Sequence, residues 1–340
     1  MTLQQVPVID IAPFLGGERD GKARAAAEVK QACEDIGFFV ITGHGVDPAL
    51  TRATYDVSRQ FFDLPLQEKM TIERWADDVI RGYSPALKEC LAESRGERGP
   101  GDLKESLTVG PPFVPDEPYY FCAEAGQHFV ENRWPSRPAD LKETWIAYWD
   151  AMEQLAFTLM RIFACALDLG EDYFDTRVDK HVSQFRVLNY PDQPAPPLEN
   201  QFRASAHSDF GACTICWIED KPGGLQAMNR DGEWVDVPVV PNAFSINLGD
   251  QMQMWTNDMW VSTLHRVVNP PRNKANDSRR QSMIFFFYTN YDSIIECFPA
   301  CQSEDNPAKY PPVTTGKNLL DKFLMMTAIG ASGQRASDRP

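Results

Sequence analysis

Three residues in the second half of the chain could together bind a metal ion. His207 and Asp209 are two positions apart, so in a β-strand their side chains point to the same side. His265 comes much later, after enough residues for other strands to intervene and bring it back to the same place. Two histidines and one carboxylate form a facial set that holds Fe(II) and leaves coordination positions open for small ligands. The spacing by itself is a weak pattern, so the prediction that His207, Asp209 and His265 bind a catalytic iron depends on the motifs around them.

Further motifs surround these residues on both sides. In the second half of the chain they are HSD at 207–209, GGLQ at 223–226, NLGD at 247–250, HRVV at 265–268 and RQS at 280–282. In the first half they are VPVID at 6–10, IGFF at 36–39, GHG at 43–45 and RGY at 81–83. Together these motifs resemble those of the isopenicillin N synthase-like family of Fe(II)/2-oxoglutarate-dependent oxygenases. The resemblance extends from about Val6 to about Pro299.

The resemblance implies that 2-oxoglutarate chelates the iron and that its distal carboxylate meets a cation. Arg280 suits that role, because a guanidinium can bind a carboxylate through two parallel hydrogen bonds. Ser282 is two residues further, hence on the same strand face, and can add a hydrogen bond. Tyr190 matches a family tyrosine that reaches the same carboxylate. Arg279 is one position off and is expected to point away.

The implied reaction consumes O₂ and 2-oxoglutarate, releases succinate and CO₂, and oxidises a C–H bond of a small organic substrate. Hydroxylation is the default outcome in such enzymes, and relatives catalyse desaturation or cyclisation. Three alternatives remain open from the sequence. The first is an isopenicillin N synthase-like oxidase that does not consume 2-oxoglutarate, and the second is an ethylene-forming type that mainly fragments it. The third is a non-catalytic, cupin-like binding protein.

The substrate pocket is expected to be rich in aromatic side chains, which favours a substrate with apolar surface. Strand parity places Phe286 and Tyr288 on the same face as Arg280 and Ser282. The other expected pocket residues are Phe210, Cys216, Trp217, Val267 and Leu107. These residues do not distinguish amino-acid derivatives, peptides, terpenoids and aromatic natural products as substrates.

The second half of the chain shows the pattern of an all-β core. Short runs of β-forming residues alternate with turns rich in Gly, Asp and Asn. The predicted strands are 183–190, 212–218, 225–228, 234–237, 243–248, 262–268, 281–288 and 294–298. About eight short strands indicate a jelly roll of the cupin type. We therefore predict an α+β fold with a mainly β core, a double-stranded β-helix with flanking helices.

The flanking regions supply helices and two more strands. Strands are predicted at 7–10 and 38–41, and helices at 22–36, 47–62, 139–169 and 316–327. Residues 74–118 are expected to be irregular, with 104–107 near the site mouth, and residues 329–340 to form a loose tail. The predicted organisation is an N-terminal region at 1–175, a jelly-roll oxygenase core at 180–292, and a C-terminal strand, helix and tail at 293–340.

Composition argues against two classes of partner. The net charge of −15 gives a surface that repels phosphate backbones, so nucleic-acid binding is not expected. No run approaches the roughly 18 apolar residues of a membrane span, and the first residues show no secretory signal. The eight cysteines are scattered, which favours reduced thiols and a cytoplasmic location. We expect a small-molecule substrate and a monomer or weak homo-oligomer.

Overall fold

The computed structural model describes residues 5–76 and 79–324, which are organised around two β-sheets. The strands are β1 Val8–Asp10, β2 Phe38–Thr42, β3 Gly82–Ser84, β4 Glu105–Val109, β5 Gln184–Tyr190, β6 Ala204–His207, β7 Cys213–Ile218, β8 Leu225–Met228, β9 Trp234–Asp236, β10 Phe244–Leu248, β11 His265–Val267, β12 Arg280–Phe287, β13 Ile294–Ile295 and β14 Val313–Thr314. The helices are α1 Ala12–Leu15, α2 Arg19–Asp35, α3 Pro48–Phe62, α4 Leu66–Lys69, α5 Pro118–Phe121, α6 Leu141–Ala166, α7 Asp175–Val178 and α8 Asp250–Trp255, followed by a helix at residues 315–324.

The two main sheets form the layers of a double-stranded β-helix. The large sheet has the strand order β1-β2-β10-β7-β12-β5-β4-β3, and the smaller one β6-β11-β8-β9. A cavity lies between them, lined by side chains from β5, β7, β10 and β12 on one side and from β6, β8 and β11 on the other. The predicted jelly roll with flanking helices is therefore confirmed.

The central strands of the large sheet alternate between two environments. On β5, Phe185 and Val187 enter the main hydrophobic core, whereas Gln184 and Arg186 face the cavity. The core lies between this sheet and helices α2, α3 and α6. The pleat of the strands thus puts packing on one face and chemistry on the other.

Helix α6 is the largest packing element on the core side of the sheet. Its apolar residues recur at three- and four-residue steps, which gives one continuous buried stripe. Trp145 packs edge-on against Phe185, with ring centroids 4.7 Å apart, and Trp149 packs against Phe285 at 4.9 Å. Among the helices of the described ranges, none combines the length and the apolarity needed to cross a membrane.

Several local predictions are confirmed. The side chain of Asp47 accepts a hydrogen bond from the backbone N–H of Ala49 at 2.8 Å, and Pro48 occupies the first turn of α3. Helices α2 and α6 and strands β1 and β2 lie within three residues of their predicted bounds. The closing helix is present at 315–324. The rest of that prediction, and the expected tail at 329–340, lie outside the described residues.

Three predictions about strands were wrong. Residues 74–118 contain β3 and β4, which form one edge of the large sheet through pairing of β4 with β5. Such pairing depends on a partner far along the chain, so the local sequence does not reveal it. The run 294–298 is strand only at Ile294–Ile295, where it pairs with the two residues of β14. Strand β6, Ala204–His207, was missing from the predicted strands, and because it ends at His207, Asp209 lies beyond it in the connection to β7.

Candidate active site

The side chains of His207, Asp209 and His265 converge at one end of the smaller sheet. His207 on β6 pairs directly with His265 on β11, and their ring centroids are 4.2 Å apart. Oδ1 of Asp209 lies 3.8 Å from Nε2 of each histidine. One ligand atom from each residue falls within 4.8 Å of the other two. This spacing fits three protein ligands on a single ion.

Each histidine is oriented by a backbone carbonyl. Nδ1 of His207 lies 2.8 Å from the carbonyl oxygen of Ser205, and Nδ1 of His265 lies 3.0 Å from that of Thr263. A carbonyl oxygen only accepts hydrogen bonds, so Nδ1 donates and Nε2 keeps its lone pair for a metal. Burial, followed by the neighbouring His265, lowers the pKa of His207 below its ordinary value. The ring is therefore neutral at neutral pH, as a metal ligand must be.

Asp209 is held through the oxygen that faces away from the histidines. Its Oδ2 accepts hydrogen bonds from the Thr214 hydroxyl at 2.5 Å and from Nδ2 of Asn247 at 2.7 Å. Burial by itself would raise the pKa of Asp209, but the two histidines and these two hydrogen bonds outweigh it and lower the pKa. The carboxylate is thus ionised, and Oδ1 is left free to bind a cation.

A second polar group in the cavity is the buried guanidinium of Arg280. It donates from Nη1 to the carbonyl of Gly223 at 2.5 Å and from Nη2 to the Ser282 hydroxyl at 3.1 Å. Glu219 acts on it only from beyond ion-pair distance, since that carboxylate lies against Arg59, and burial is the main cause that lowers the pKa of Arg280. The Tyr190 ring lies 5.3 Å from its guanidinium carbon. A buried cation without a counter-ion is costly, so this end of the cavity fits an anion such as a carboxylate.

The cavity that joins these groups has a volume of about 810 Å³. Besides the three metal-ligand residues and Arg280, Ser282 and Tyr190, it is lined by five of the expected substrate residues. These are Phe210, Cys216, Val267, Phe286 and Tyr288. The site thus brings together a metal-binding triad, an unpaired cation and an aromatic wall.

Comparison with known proteins identifies this arrangement. Residues 182–289 match the 2OG-Fe(II) oxygenase superfamily, and residues 6–137 match the N-terminal domain described for a non-haem dioxygenase in morphine synthesis. A 2-oxoglutarate-Fe(II) type oxidoreductase from Aspergillus fumigatus is 36% identical over 92% of this chain and 90% of its own length.

The chain belongs to the Fe(II)/2-oxoglutarate-dependent oxygenases of the isopenicillin N synthase-like family. Homoarginine-6-hydroxylase 2-ODD-233 from Oryza sativa subsp. japonica is 30% identical over 94% of this chain and 96% of its own length. A full-length Neurospora crassa protein, crystallised in complex with 2-oxoglutarate (alpha-KG) and thymine, superposes with a TM-score of 0.80 at 29% identity. That match covers 94% of this chain and 96% of the Neurospora protein.

The oxygenase is therefore a 2-oxoglutarate-dependent dioxygenase that acts on small molecules, with Fe(II) as its metal and 2-oxoglutarate as co-substrate. O₂ is the usual second co-substrate of this family. The residues present fit Fe(II) and 2-oxoglutarate. Three ligand atoms converge where the iron would bind, and the buried guanidinium of Arg280 could bind a carboxylate of 2-oxoglutarate. The comparisons support neither an oxidase that does not consume 2-oxoglutarate nor a non-catalytic, cupin-like binding protein.

Two expected substrate contacts of the oxygenase do not line the cavity. Leu107 is fully buried in the main core, because on β4 it faces the helices while its neighbours Ser106 and Thr108 face the other way. Trp217 follows Cys216 on β7 and consequently points to the opposite face of the sheet. Its ring packs against Tyr55, with centroids 5.4 Å apart. Both expectations are corrected by strand parity.

The oxygenase also has site residues that sequence reasoning did not assign. Asn247 and Thr214 donate hydrogen bonds to Asp209. Asn247 lies in the NLGD motif that carries the family resemblance, but the sequence did not indicate what it does. Asp102 accepts from the backbone N–H and hydroxyl of Ser205, next to the metal ligand on β6. Arg279 binds Asp63 and Asn189 outside the cavity, as its parity predicts.

Proposed function

We propose that this dioxygenase hydroxylates an unactivated C–H bond of a small organic molecule held in the cavity. In this assignment His207, Asp209 and His265 bind Fe(II), and Arg280, Ser282 and Tyr190 bind the distal carboxylate of 2-oxoglutarate. The observation that carries it is the buried, unpaired Arg280 in the same cavity as three convergent ligand atoms. Bound iron, with 2-oxoglutarate and O₂, supplies the oxidising power that no side chain has.

The protein's own contribution is positioning. The carbonyls of Ser205 and Thr263 fix both imidazoles, and Thr214 and Asn247 fix the Asp209 carboxylate. Each ligand atom is therefore oriented before the ion arrives, which lowers the reorganisation needed on binding.

At the other end of the cavity, Gly223 and Ser282 hold the Arg280 fork in place. The hydroxyl of Tyr190 has no hydrogen-bond partner among the described residues and lines the same cavity, so it is available to the co-substrate. A carboxylate bound here would receive charged hydrogen bonds in a site shielded from water.

We also propose that five cavity residues contact the substrate: Phe210, Phe286, Tyr288, Val267 and Cys216. Their support is that all five side chains line the cavity. The Neurospora relative was crystallised with thymine, a small planar molecule, and the rice relative is named for homoarginine. The substrate proposed here is likewise small.

The finer assignments of organisation and location are proposals too. We assign the catalytic site to residues 180–292 and a supporting role to 1–175, because all three ligand residues lie in the first range and α2, α3 and α6 in the second. The third region of this assignment, 293–340, contains β13, β14 and the helix at 315–324, and its residues beyond 324 lie outside the described part of the chain. The eight cysteines are all unpaired, which supports a cytoplasmic enzyme. We propose a monomer or weak homo-oligomer without nucleic-acid or membrane partners.

The test is an anaerobic titration with Fe(II) followed by 2-oxoglutarate, monitored through the metal-to-ligand charge-transfer absorbance of the chelate. We expect a saturable absorbance band at about one iron and one 2-oxoglutarate per chain, and succinate formed in step with O₂ consumption when substrate is added. The absence of the band with intact, folded protein would overturn the proposal. Substrate oxidation without succinate would reassign Arg280 to an organic substrate.

A further inference from the structure

Three polar side chains face the cavity without a protein partner that satisfies them. Gln184 is 7% exposed and lines the cavity, and its amide has no hydrogen-bond partner among the described residues. The hydroxyl of Tyr288, whose side chain is also buried, likewise has none within that part of the chain. Arg186 uses Nε on the Thr108 hydroxyl at 2.8 Å and Nη1 on Glu89 at 3.4 Å, which leaves Nη2 free.

The Gln184 amide, the Tyr288 hydroxyl and Nη2 of Arg186 all open onto one cavity with hydrogen-bonding capacity unused by the described residues, so a polar ligand in the cavity could satisfy them together. Neither 2-oxoglutarate nor iron accounts for them. The metal-ligand residues already have hydrogen-bond partners on the sides that face away from the ion. The proposed binding site for the distal carboxylate of 2-oxoglutarate lies at Arg280, which pairs with Tyr190 across the sheet. Gln184 is at the opposite end of β5 from Tyr190.

The register of the large sheet places this group beside the metal site. Asn247, Thr214, Phe286 and Gln184 form one row across β10, β7, β12 and β5. Neighbouring strands are about 4.8 Å apart, so Gln184 lies roughly 10 Å across the sheet from Thr214, which holds Asp209. A small molecule that spans this distance would extend from Gln184 to the residues that hold Asp209.

The ring of Phe286 lies close to both Gln184 and Arg186. It lies directly opposite Gln184, and its ring centroid is 5.9 Å from the guanidinium carbon of Arg186. Gln184 and Arg186 are alternate residues of one strand, roughly 7 Å apart along it. A flat group resting on Phe286 would therefore have hydrogen-bonding partners at its edges.

The charges around Arg186 are already balanced. The carboxylate of Glu89 lies 2.7 Å from Lys104 and 3.4 Å from Arg186, and Asp102 lies 3.8 Å from Lys104. In this wall the basic side chains Arg74, Lys88, Lys104 and Arg186 line the cavity together with the acidic Glu73, Glu89 and Glu93, and Asp102, which does not line it, neutralises Lys104 from within the protein. A carboxylate would gain little net attraction here, whereas a neutral carbonyl oxygen can accept from the free Nη2 without loss.

We infer that Gln184, Arg186 and Tyr288 anchor a neutral amide group of the substrate, such as a carboxamide, lactam or cyclic imide, packed on Phe286. An amide side chain both donates and accepts, so Gln184 matches the adjacent C=O and N–H of such a group. Arg186 donates to a carbonyl oxygen, and the Tyr288 hydroxyl can serve either edge. The inference rests on the proposed function and names the substrate class of that same site.

The experiment uses the full chain loaded anaerobically with Fe(II) and 2-oxoglutarate, and measures binding of thymine, benzamide, benzoate and toluene by calorimetry. The chelate absorbance is followed in the same samples to report iron and 2-oxoglutarate separately. We expect thymine or benzamide to bind, and benzoate and toluene to bind at least about tenfold more weakly or not at all. Gln184→Ala and Arg186→Gln should each weaken amide binding about tenfold.

Matched controls are Arg279→Gln, whose side chain lies outside the cavity, and Gln226→Ala, whose side chain bonds Arg266 and Asp236 on the smaller sheet. Both should bind amides like the wild type. Arg186→Lys and Gln184→Glu provide second variants if a first one fails to fold.

Tighter binding of benzoate than of benzamide would overturn the amide class in favour of an acid. Equal amide binding in the Gln184 and Arg186 variants would remove those residues from the anchor. If no amide binds while the chelate band is normal, the substrate class fails and the proposed function stands. If the chelate band itself is missing, the proposed function fails first.

Discussion

Asn247 donates a hydrogen bond of 2.7 Å to Oδ2 of Asp209, the oxygen opposite the one that faces the two histidines. Thr214 donates to the same oxygen from the neighbouring strand β7. The two strands pair with Asn247 opposite Thr214, so a single cross-strand pair carries both donors. The large sheet thereby orients a metal ligand that lies in the segment following β6 of the smaller sheet.

Removing either donor should weaken iron binding without removing a ligand. We expect Asn247→Ala and Thr214→Val each to lower Fe(II) affinity about tenfold to a hundredfold, since supporting hydrogen bonds have effects of that size at metal sites. The measurement is an anaerobic Fe(II) titration. Ser245→Ala is the control, because Ser245 lies on the same strand but donates to the carbonyl of Cys216. Wild-type affinity in both variants would show that Asp209 needs no such support.

The ligands themselves should be individually essential. His207→Ala, Asp209→Ala and His265→Ala should each lose most Fe(II) affinity and nearly all succinate formation, because two remaining protein ligands hold the ion poorly. Thermal unfolding of the apoprotein should show that the sheets persist, since the main core lies on the other face of the large sheet. Near-wild-type turnover in any one variant would exclude that residue from the triad.

The alternation of side chains along a strand predicted the site residues better than any other feature of the sequence. It placed Arg280, Ser282, Phe286 and Tyr288 on one face, and the structure shows all four lining the cavity. The same rule applied to Tyr190 on β5 would have found Gln184 and Arg186, which share its face. It would also have separated Cys216 from Trp217, since adjacent strand residues cannot both face one cavity.

Other features depended on long-range pairing that a single sequence does not express. The segment of β4 was predicted as irregular, and the family resemblance favoured a place for Leu107 in the site. The face that Leu107 presents is set by the pairing of β4 with Val187 on β5, which the local sequence does not show. The position of Asp209 near the histidines is likewise set outside a strand, in the segment after β6, where Asn247 of the other sheet donates to it. The residue types indicated a metal-binding oxygenase site, whereas the strand register determined which residues contact one another in it.

Stability should fall on acidification partly because of His128. Burial, followed by the nearby Arg81 charge, lowers the pKa of His128 to about 4, whereas an unfolded histidine has a pKa of about 6.5. The unfolded state then binds the extra proton between pH 6.5 and 4, so the free energy of unfolding decreases as pH falls through that window. The contribution present above pH 6.5 is up to about 3 kcal/mol.

The variant His128→Gln should flatten the pH dependence of unfolding between pH 6.5 and 4. Urea unfolding of the apoprotein at a series of pH values measures it. Above pH 7 the difference between variant and wild type should be constant, which provides the internal control. An identical slope in the acidic window would assign the loss of stability to other groups.

Arg280 gives the most direct test of the co-substrate end. If it binds the distal carboxylate of 2-oxoglutarate, Arg280→Ala should weaken 2-oxoglutarate binding by about 2–4 kcal/mol, roughly thirtyfold to a thousandfold. Arg280→Lys keeps the charge but loses the fork and should be intermediate. Ser282→Ala removes a neutral donor and should cost about 1 kcal/mol.

The measurement for these variants is 2-oxoglutarate affinity with Fe(II) under anaerobic conditions, followed by the charge-transfer absorbance. Arg279→Ala is the matched control, because that guanidinium binds Asp63 and Asn189 outside the cavity and should leave the affinity unchanged. Iron affinity should change much less than 2-oxoglutarate affinity, since Arg280 contacts no metal ligand among the described residues. An unchanged 2-oxoglutarate affinity in Arg280→Ala, with binding of an organic acid lost instead, would make this arginine a substrate residue and leave the co-substrate carboxylate to another cation.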